Sequence, residues 1–272
     1  MIIGVFDSGL GGLTVVKELN KIQSPLHIKY AGDTLHLPYG HKSAKAINLL
    51  SQDMAQYLYA QNIDLLIVAC HSASSTSLQE LKASFPIPVI GVIEPVLEEI
   101  TYYPNIQNIG VIGTFATIKS RTYANALTQK SIQAFELACP LFVPLVEEGW
   151  TNEPITDLII DKYLNFFKKN TIDALILGCT HYPLLKTAIA KYLGPSVQLL
   201  DSAECCAKLI AQKYNLPIGD NHNTSHQLEI SVTDYAKHFH ILAERFLGQK
   251  IEKITEISTI DINKSTERIF LL

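Results

Sequence analysis

Short apolar runs punctuate the chain at 2–6, 27–31, 64–69, 89–93, 109–112, 141–145, 173–177 and 197–200. Several are continuous, as in Leu65-Leu66-Ile67-Val68-Ala69, the pattern of a strand covered on both faces. Between the runs the apolar spacing changes to the helical period. Ile47, Leu50, Met54 and Leu58 line one face after Ser43, whose hydroxyl suits an N-cap; Leu185, Ala188, Ile189, Tyr192 and Leu193 line another that stops at Gly194. Farther on, 227–233 reads as a strand and 235–246 as a helix ended by Gly248. Strands alternating with helices predict mainly parallel sheets wound with helices on both faces, an α/β fold.

The pattern also repeats. Ile3-Gly4-Val5-Phe6-Asp7-Ser8 is echoed by Ile109-Gly110-Val111-Ile112-Gly113-Thr114, and Asp64-Leu65-Leu66-Ile67-Val68-Ala69-Cys70 by Asp173-Ala174-Leu175-Ile176-Leu177-Gly178-Cys179. The first echo lies 106 positions on and the second 109, so order and spacing are both kept. Two similar doubly wound domains related by a pseudo-twofold axis are therefore expected: residues 96–207 as the second, and 1–95 as the first, completed by a returning segment 208–272. Each half carries a hydroxyl-bearing loop after its first strand and a cysteine after a later one. Ligands of open α/β sheets sit beyond the carboxyl ends of the strands, which would bring both loops and both cysteines into the cleft between the domains.

Composition narrows the function classes. With 47% hydrophobic and 18% charged residues in 272, the chain has ample material for buried cores. A net charge of −4 supplies no basic field, so a small molecule rather than nucleic acid is the expected partner. No apolar run reaches the roughly eighteen residues of a membrane span and the start lacks a basic leader, so no membrane association is expected and the location is expected to be cytoplasmic. A homodimer is compatible with the sequence. Five cysteines without CxxC spacing read as free thiols rather than as a disulfide framework or a zinc site. His222 with His226, and His238 with His240, have loose metal-like spacing but lack a third ligand, and no metal is expected.

Cys70 and Cys179 each close an apolar run and precede small polar residues, His71-Ser72-Ala73-Ser74 and Thr180-His181-Tyr182-Pro183. A thiol at a strand-to-helix turn is expected to be exposed, with its pKa lowered by backbone amides and a helix N-terminus. One such cysteine reads as well as a small buried hydrophobe. Two in a repeated context suit a reaction in which one thiolate removes a proton and a thiol on the opposite side returns one. Asp7 and Ser8 open the loop Ser8-Gly9-Leu10-Gly11-Gly12, which reads either as a capped turn or as part of a site; its glycines do not form GxGxxG, so no dinucleotide is implied. Gly32-Asp33-Thr34 with Pro38-Tyr39-Gly40 makes a second polar loop, either a capped turn or a cradle of amides for a carboxylate. His181 stands where it can orient or protonate a group beside Cys179. Cys205 and Cys206 read as packing residues of a helix, and nothing around Cys139 repeats.

These motifs, with Gly110-Val111-Ile112-Gly113-Thr114 and above all Leu177-Gly178-Cys179-Thr180-His181-Tyr182-Pro183-Leu184, resemble the bacterial glutamate racemase family from about Ile3 to Asp201, with a fainter echo at Thr233 and Asp234. The resemblance implies two α/β domains with the active site between them, no pyridoxal phosphate or metal, and D-glutamate made for peptidoglycan. It implies that Cys70 and Cys179 are the acid/base thiols, that Asp7 assists near the first, and that His181 and Glu147 assist near the second. Ser8, Pro38, Tyr39, Gly40, Ser72, Thr114, Thr117 and Thr180 match positions that hold substrate, as Asp7 and His181 also would. One position departs: where the family usually reads Cys-Asn-Thr-Ala, this chain reads Cys70-His71-Ser72-Ala73. Protonated, His71 would pair with a substrate carboxylate or stabilise the Cys70 thiolate. Three other readings stay open: aspartate or another amino acid as substrate, a Cys-His hydrolase using one thiol as nucleophile, and a catalytically silent amino-acid-binding protein.

Overall fold

The computed structural model describes residues 1–219 and 224–258, so His222 lies outside the described residues. In the first half the order is β1 (Ile2–Asp7), α1 (Leu13–Leu19), β2 (His27–Gly32), α2 (Ala44–Tyr59), β3 (Leu65–Val68), α3 (His71–Thr76), α4 (Leu78–Ser84), β4 (Val89–Gly91) and α5 (Ile93–Glu99). The second half runs β5 (Asn108–Gly113), α6 (Phe115–Ser120), α7 (Thr122–Gln129), β6 (Gln133–Ala138), α8 (Phe142–Glu147), α9 (Pro154–Lys169), β7 (Ala174–Gly178), α10 (Lys186–Leu193), β8 (Gln198–Asp201) and α11 (Ser202–Lys213). The chain then adds β9 (Gln227–Val232), α12 (Lys237–Leu247) and β10 (Thr255–Glu256).

One sheet has the strand order β10-β9-β2-β1-β3-β4 and the other β6-β5-β7-β8. All strand pairings in both are parallel. Within each half the order is second, first, third, fourth strand, so the sequence repeat is a repeat of topology, with β1 answering to β5 and β3 to β7. The continuously apolar runs behave as their pattern requires: β3 and β7 are buried along their whole length. The tail returns to the first sheet, where β9 extends it beside β2. Apolar packing runs unbroken between the halves, joining Val5 and Ile67 of the first sheet, Ile112 and Leu177 of the second, and Leu242 and Phe246 of α12.

Two expected strands fail, one wholly and one in part. The run 141–145 is not a strand: Leu141 precedes α8, and Pro144 sits in that helix's first turn, where a missing N–H leaves no hydrogen bond unmade. The strand of that unit is β6, an edge strand of half-buried and exposed residues whose Gln133 and Glu136 weaken its apolar signal. The strand expected over 89–93 stops at Gly91, and Ile93 opens α5. By contrast Cys205 and Cys206 are buried in α11, and Cys139 is buried as well. Among the described residues no helix is long and apolar enough to cross a membrane.

The N-cap read from the sequence is present: the Ser43 hydroxyl accepts a hydrogen bond from the amide of Ala46 at 3.3 Å, opening the sixteen-residue α2. Ser43→Ala is expected to lower the unfolding free energy by about 1 kcal/mol, the usual worth of such a cap. Urea denaturation of the two proteins measures it, and equal midpoints would show that the cap contributes nothing.

Candidate active site

The carboxyl ends of β1, β3, β5 and β7 deliver Asp7-Ser8, Cys70, Thr114 and Cys179 to one place. There a cavity of about 510 Å³ opens between the halves, lined by Ser8, Pro38, Tyr39, Gly40, Cys70, His71, Ser72, Thr114, Glu147, Cys179, Thr180 and His181 among others. Two expected substrate contacts stand behind this wall instead. Asp7 is fully buried and accepts hydrogen bonds from the Gly9 amide at 3.0 Å and the Thr180 hydroxyl at 3.5 Å. Thr117, buried in α6, exchanges a hydrogen bond of 3.1 Å with the Thr114 hydroxyl.

The halves meet closely around the cavity. A Cβ on Gly11 would lie 2.5 Å from Thr180 Oγ1 and 2.6 Å from His181 Nδ1, so only glycine lets the loop after β1 press against the turn after β7. On the other side Ser72 and Thr114 share a hydrogen bond of 2.9 Å, and Thr122 donates to the Ser75 carbonyl at 3.1 Å, tying α3 to the second half. The polar loop after β2 is anchored by Asp33, which accepts from Tyr39 Oη at 2.6 Å and from Thr233 Oγ1 at 2.9 Å. The Thr233 echo in the sequence thus has a structural role, and the Tyr39 hydroxyl is already committed.

The two thiols occupy unlike surroundings. Cys70 is 5% exposed, and its Sγ donates to Ser8 Oγ at 3.5 Å. Burial pushes its pKa up to about 12, with the charge of Asp7 adding to the effect; the Ala73 amide and the Ser8 hydroxyl pull it down too little to compensate. The expectation of an exposed thiol acidified by a helix terminus therefore fails at Cys70, where loss of water outweighs the amides of a six-residue helix. Cys179 is equally buried at 6% exposure, but its Sγ lies 3.9 Å from His181 Nδ1, whose Nε2 lies 3.0 Å from Glu147 Oε1. Burial alone would lower the His181 pKa; hydrogen bonding to Cys179 and Glu147 and their charge reverse this and raise it to about 10, so the ring is an imidazolium at neutral pH. Burial also raises the pKa of Asp7 against the pull of the charge on His181 and of the Gly9, Gly12 and Ser8 amides.

His71 follows from its environment rather than from its neighbour in sequence. It is 2% exposed, it stacks on Tyr123 with ring centroids 6.4 Å apart, and neither of its nitrogens has a hydrogen-bond partner among the described residues. Burial drives its pKa down to about 3, so the protonated His71 expected to pair with a carboxylate does not exist near neutral pH. Sequence reasoning also missed the mouth of the cavity, where Leu37, His41, Phe115, Leu141, Val143 and Pro144 add to the wall. Phe115 directly follows Thr114, which was a usable signal; Leu141, Val143 and Pro144 were hidden by the mistaken strand. No lysine or arginine lines the cavity among the described residues.

A family model for Asp/Glu/Hydantoin racemase matches residues 3–210. A glutamate racemase of Aquifex aeolicus is 43% identical over 256 residues, covering 94% of this chain and 98% of that protein. The chain belongs to the Asp/Glu/Hydantoin racemase family. Among solved members, the glutamate racemase of Francisella tularensis subsp. tularensis, crystallised in complex with D-glutamate, superposes with a TM-score of 0.83 at 35% identity, covering 94% of this chain and 97% of that one. Glutamate racemase isoform RacE1 of Bacillus anthracis gives a TM-score of 0.85 at the same 35% identity, over 95% of this chain and 97% of its own. The family likeness therefore spans both halves and the returning tail.

The neutrality of His71 has a thermodynamic signature. Its folded pKa of about 3 lies below the ordinary 6.5, so below pH 6.5 the unfolded chain binds a proton that the folded chain refuses, and stability falls as the pH falls. The loss from this group amounts to about 2 kcal/mol at pH 5 and is negligible at pH 7.5. Chemical denaturation at both values should show wild type losing more stability on acidification than His71→Asn; equal losses would mean that the ring is protonated in the folded state.

Proposed function

We propose that the protein interconverts L- and D-glutamate with its own side chains as acid and base: the thiolate of one of Cys70 and Cys179 removes the α-proton, and the thiol of the other returns a proton to the opposite face. One observation carries the reading: the two cysteines leave equivalent strand ends of a repeated unit, line one cavity, and lie close enough for charge on Cys179 to raise the pKa of Cys70. An amino acid held between them presents opposite faces of its α-carbon to the two sulfurs, the geometry that inversion demands.

The hydroxyls of Ser8, Ser72, Thr114 and Thr180, with the amides at the start of α3 and α6, hold the carboxylates and the ammonium, as suits a cavity without lysine or arginine. Cys70, protonated at rest, is ready to deliver a proton. Cys179 has a cationic hydrogen-bond partner in His181, which Glu147 keeps charged. When the α-proton leaves, the substrate carries carbanion-like charge next to the imidazolium and the amides. In the reverse direction the sulfurs exchange roles, while Asp7 keeps the loop that carries Ser8 in place by accepting from the Gly9 amide. Neutral His71 does not repel the substrate ammonium, so its replacement of the family amide is compatible with glutamate. D-glutamate so made would supply peptidoglycan synthesis.

Purified protein incubated with either enantiomer of glutamate, without added cofactor, should reach a racemic mixture by chiral chromatography, and aspartate should react far more slowly. Cys70→Ser and Cys179→Ser should each lower turnover by about 10²-fold or more, because a hydroxyl is a far weaker acid than a thiol and a positioned acid or base is worth that factor. Wild-type rates in either variant, in both directions, would remove that cysteine from the reaction; faster racemisation of aspartate would reassign the substrate.

A further inference from the structure

The acid pair beside Cys179 is gripped from outside its own half. Glu147 is the last residue of α8, which ends in a tight cap: the Gly149 amide donates to the Val146 carbonyl at 3.0 Å and the Trp150 amide to the Leu145 carbonyl at 2.8 Å, with Gly149 at φ +81°. This crossed pair of hydrogen bonds with a left-handed glycine leaves the last carbonyls of the helix facing outward. Arg245 of α12 fills that position. Its Nη1 donates to the Val146 carbonyl at 3.1 Å and to the Glu147 carbonyl at 2.8 Å. A Cβ on Gly149 would meet the guanidinium at 2.8 Å, so the absence of a side chain at 149 admits it. A cation at a helix C-terminus is favoured by the helix dipole as well as by the exposed carbonyls.

The next residue completes the grip. Phe246, fully buried, packs its ring against His181 at a centroid separation of 4.8 Å and an angle of 77°. Thus Arg245 fixes the backbone that carries Glu147, while Phe246 fixes the ring to which Glu147 is bonded. Both belong to a helix that follows β9 of the first sheet, whereas His181 and Glu147 belong to the second half. Glu147 needs the support, since its side chain is 37% exposed and its 3.0 Å contact with His181 would otherwise compete with water.

We infer that Arg245 and Phe246 are positioning residues for the Cys179 half of the site, holding Glu147 on His181 and His181 on Cys179 across the joint between the halves. Nothing comparable from α12 touches Cys70, so the effect is one-sided. This inference rests on the reading of Cys179 as an acid/base group for its link to turnover, but its first test does not need turnover.

The full-length protein is treated with iodoacetamide at neutral pH, and alkylation of Cys70 and Cys179 is followed separately by peptide mass. In Arg245→Met and in Gly149→Ala, which crowds the guanidinium out, alkylation of Cys179 should slow about fivefold relative to wild type while that of Cys70 is unchanged, because a thiolate rather than a thiol reacts and only Cys179 loses its imidazolium. Arg245→Lys, which keeps the charge and one donor, should recover part of the rate. Faster alkylation of both cysteines would mean general loosening that exposes the buried thiols, equal slowing at both would mean an effect not confined to Cys179, and no change at either would mean that Arg245 positions nothing; each of these results overturns the proposal. In the racemisation assay the equilibrium constant of one forces kcat/KM to fall equally in both directions, so the second readout is the primary isotope effect with α-deuterated enantiomers. It should rise for one enantiomer and not for the other, and an equal rise for both would count against the assignment. A wild-type protein that failed to racemise glutamate would refute the functional reading alone, leaving the alkylation contrast to decide the positioning roles.

Discussion

Withdrawal from water governs the site more than any single contact. Two thiols, an aspartate and two histidines are buried in one seam, and in such a place a group keeps its charge only if a partner compensates for lost hydration. The partners differ, and so do the outcomes. Cys70 has a hydroxyl and the like-signed Asp7 near it and stays a thiol. His181 has Cys179 on one nitrogen and Glu147 on the other and stays an imidazolium. His71 has neither and is neutral.

A repeated unit has thereby produced two unequal ends. After Cys70 the chain enters α3 at once, so the residue that follows is turned towards Tyr123 and away from the thiol's polar partner. After Cys179 it makes one more turn before the short 3₁₀ segment Tyr182–Leu185, which leaves His181 room to fold back on the sulfur. Tyr182 holds that turn by donating to the Gly113 and Cys139 carbonyls at 3.1 and 2.9 Å, at the ends of β5 and β6. The difference in chemistry arises from a two-residue difference in where the helix begins.

The joint between the halves is apolar below and polar at the cavity. The shared core beneath limits how far the halves part, and the Ser72–Thr114 and Thr122–Ser75 hydrogen bonds on one side, with the α12 contacts on the other, define the separation of the cysteines. Each is a contact between residues far apart in the chain; short side chains or a glycine permit all but the packing of the Phe246 ring on His181.

Much of this was legible in the amino-acid sequence, because strands buried on both faces must be apolar throughout and a duplicated unit must duplicate its loops. The runs at 64–69 and 173–177, the Ser43 cap, Gly194 and Gly248 as helix ends, and the convergence of Cys70, Cys179, Ser8 and Thr114 all follow from such local rules. An edge strand obeys the rule weakly, so β6 carries little apolar signal while the apolar start of α8 imitates a strand. Protonation was not legible at all: Cys70 and His71 are neighbours in a motif that reads as polar and exposed, and only the folded chain decides that both lose their water. The Arg245 and Phe246 contacts are equally invisible in sequence, since they join α12 to residues about 100 and 65 positions earlier, and packing at that range is set by how the sheets and their returning tail assemble.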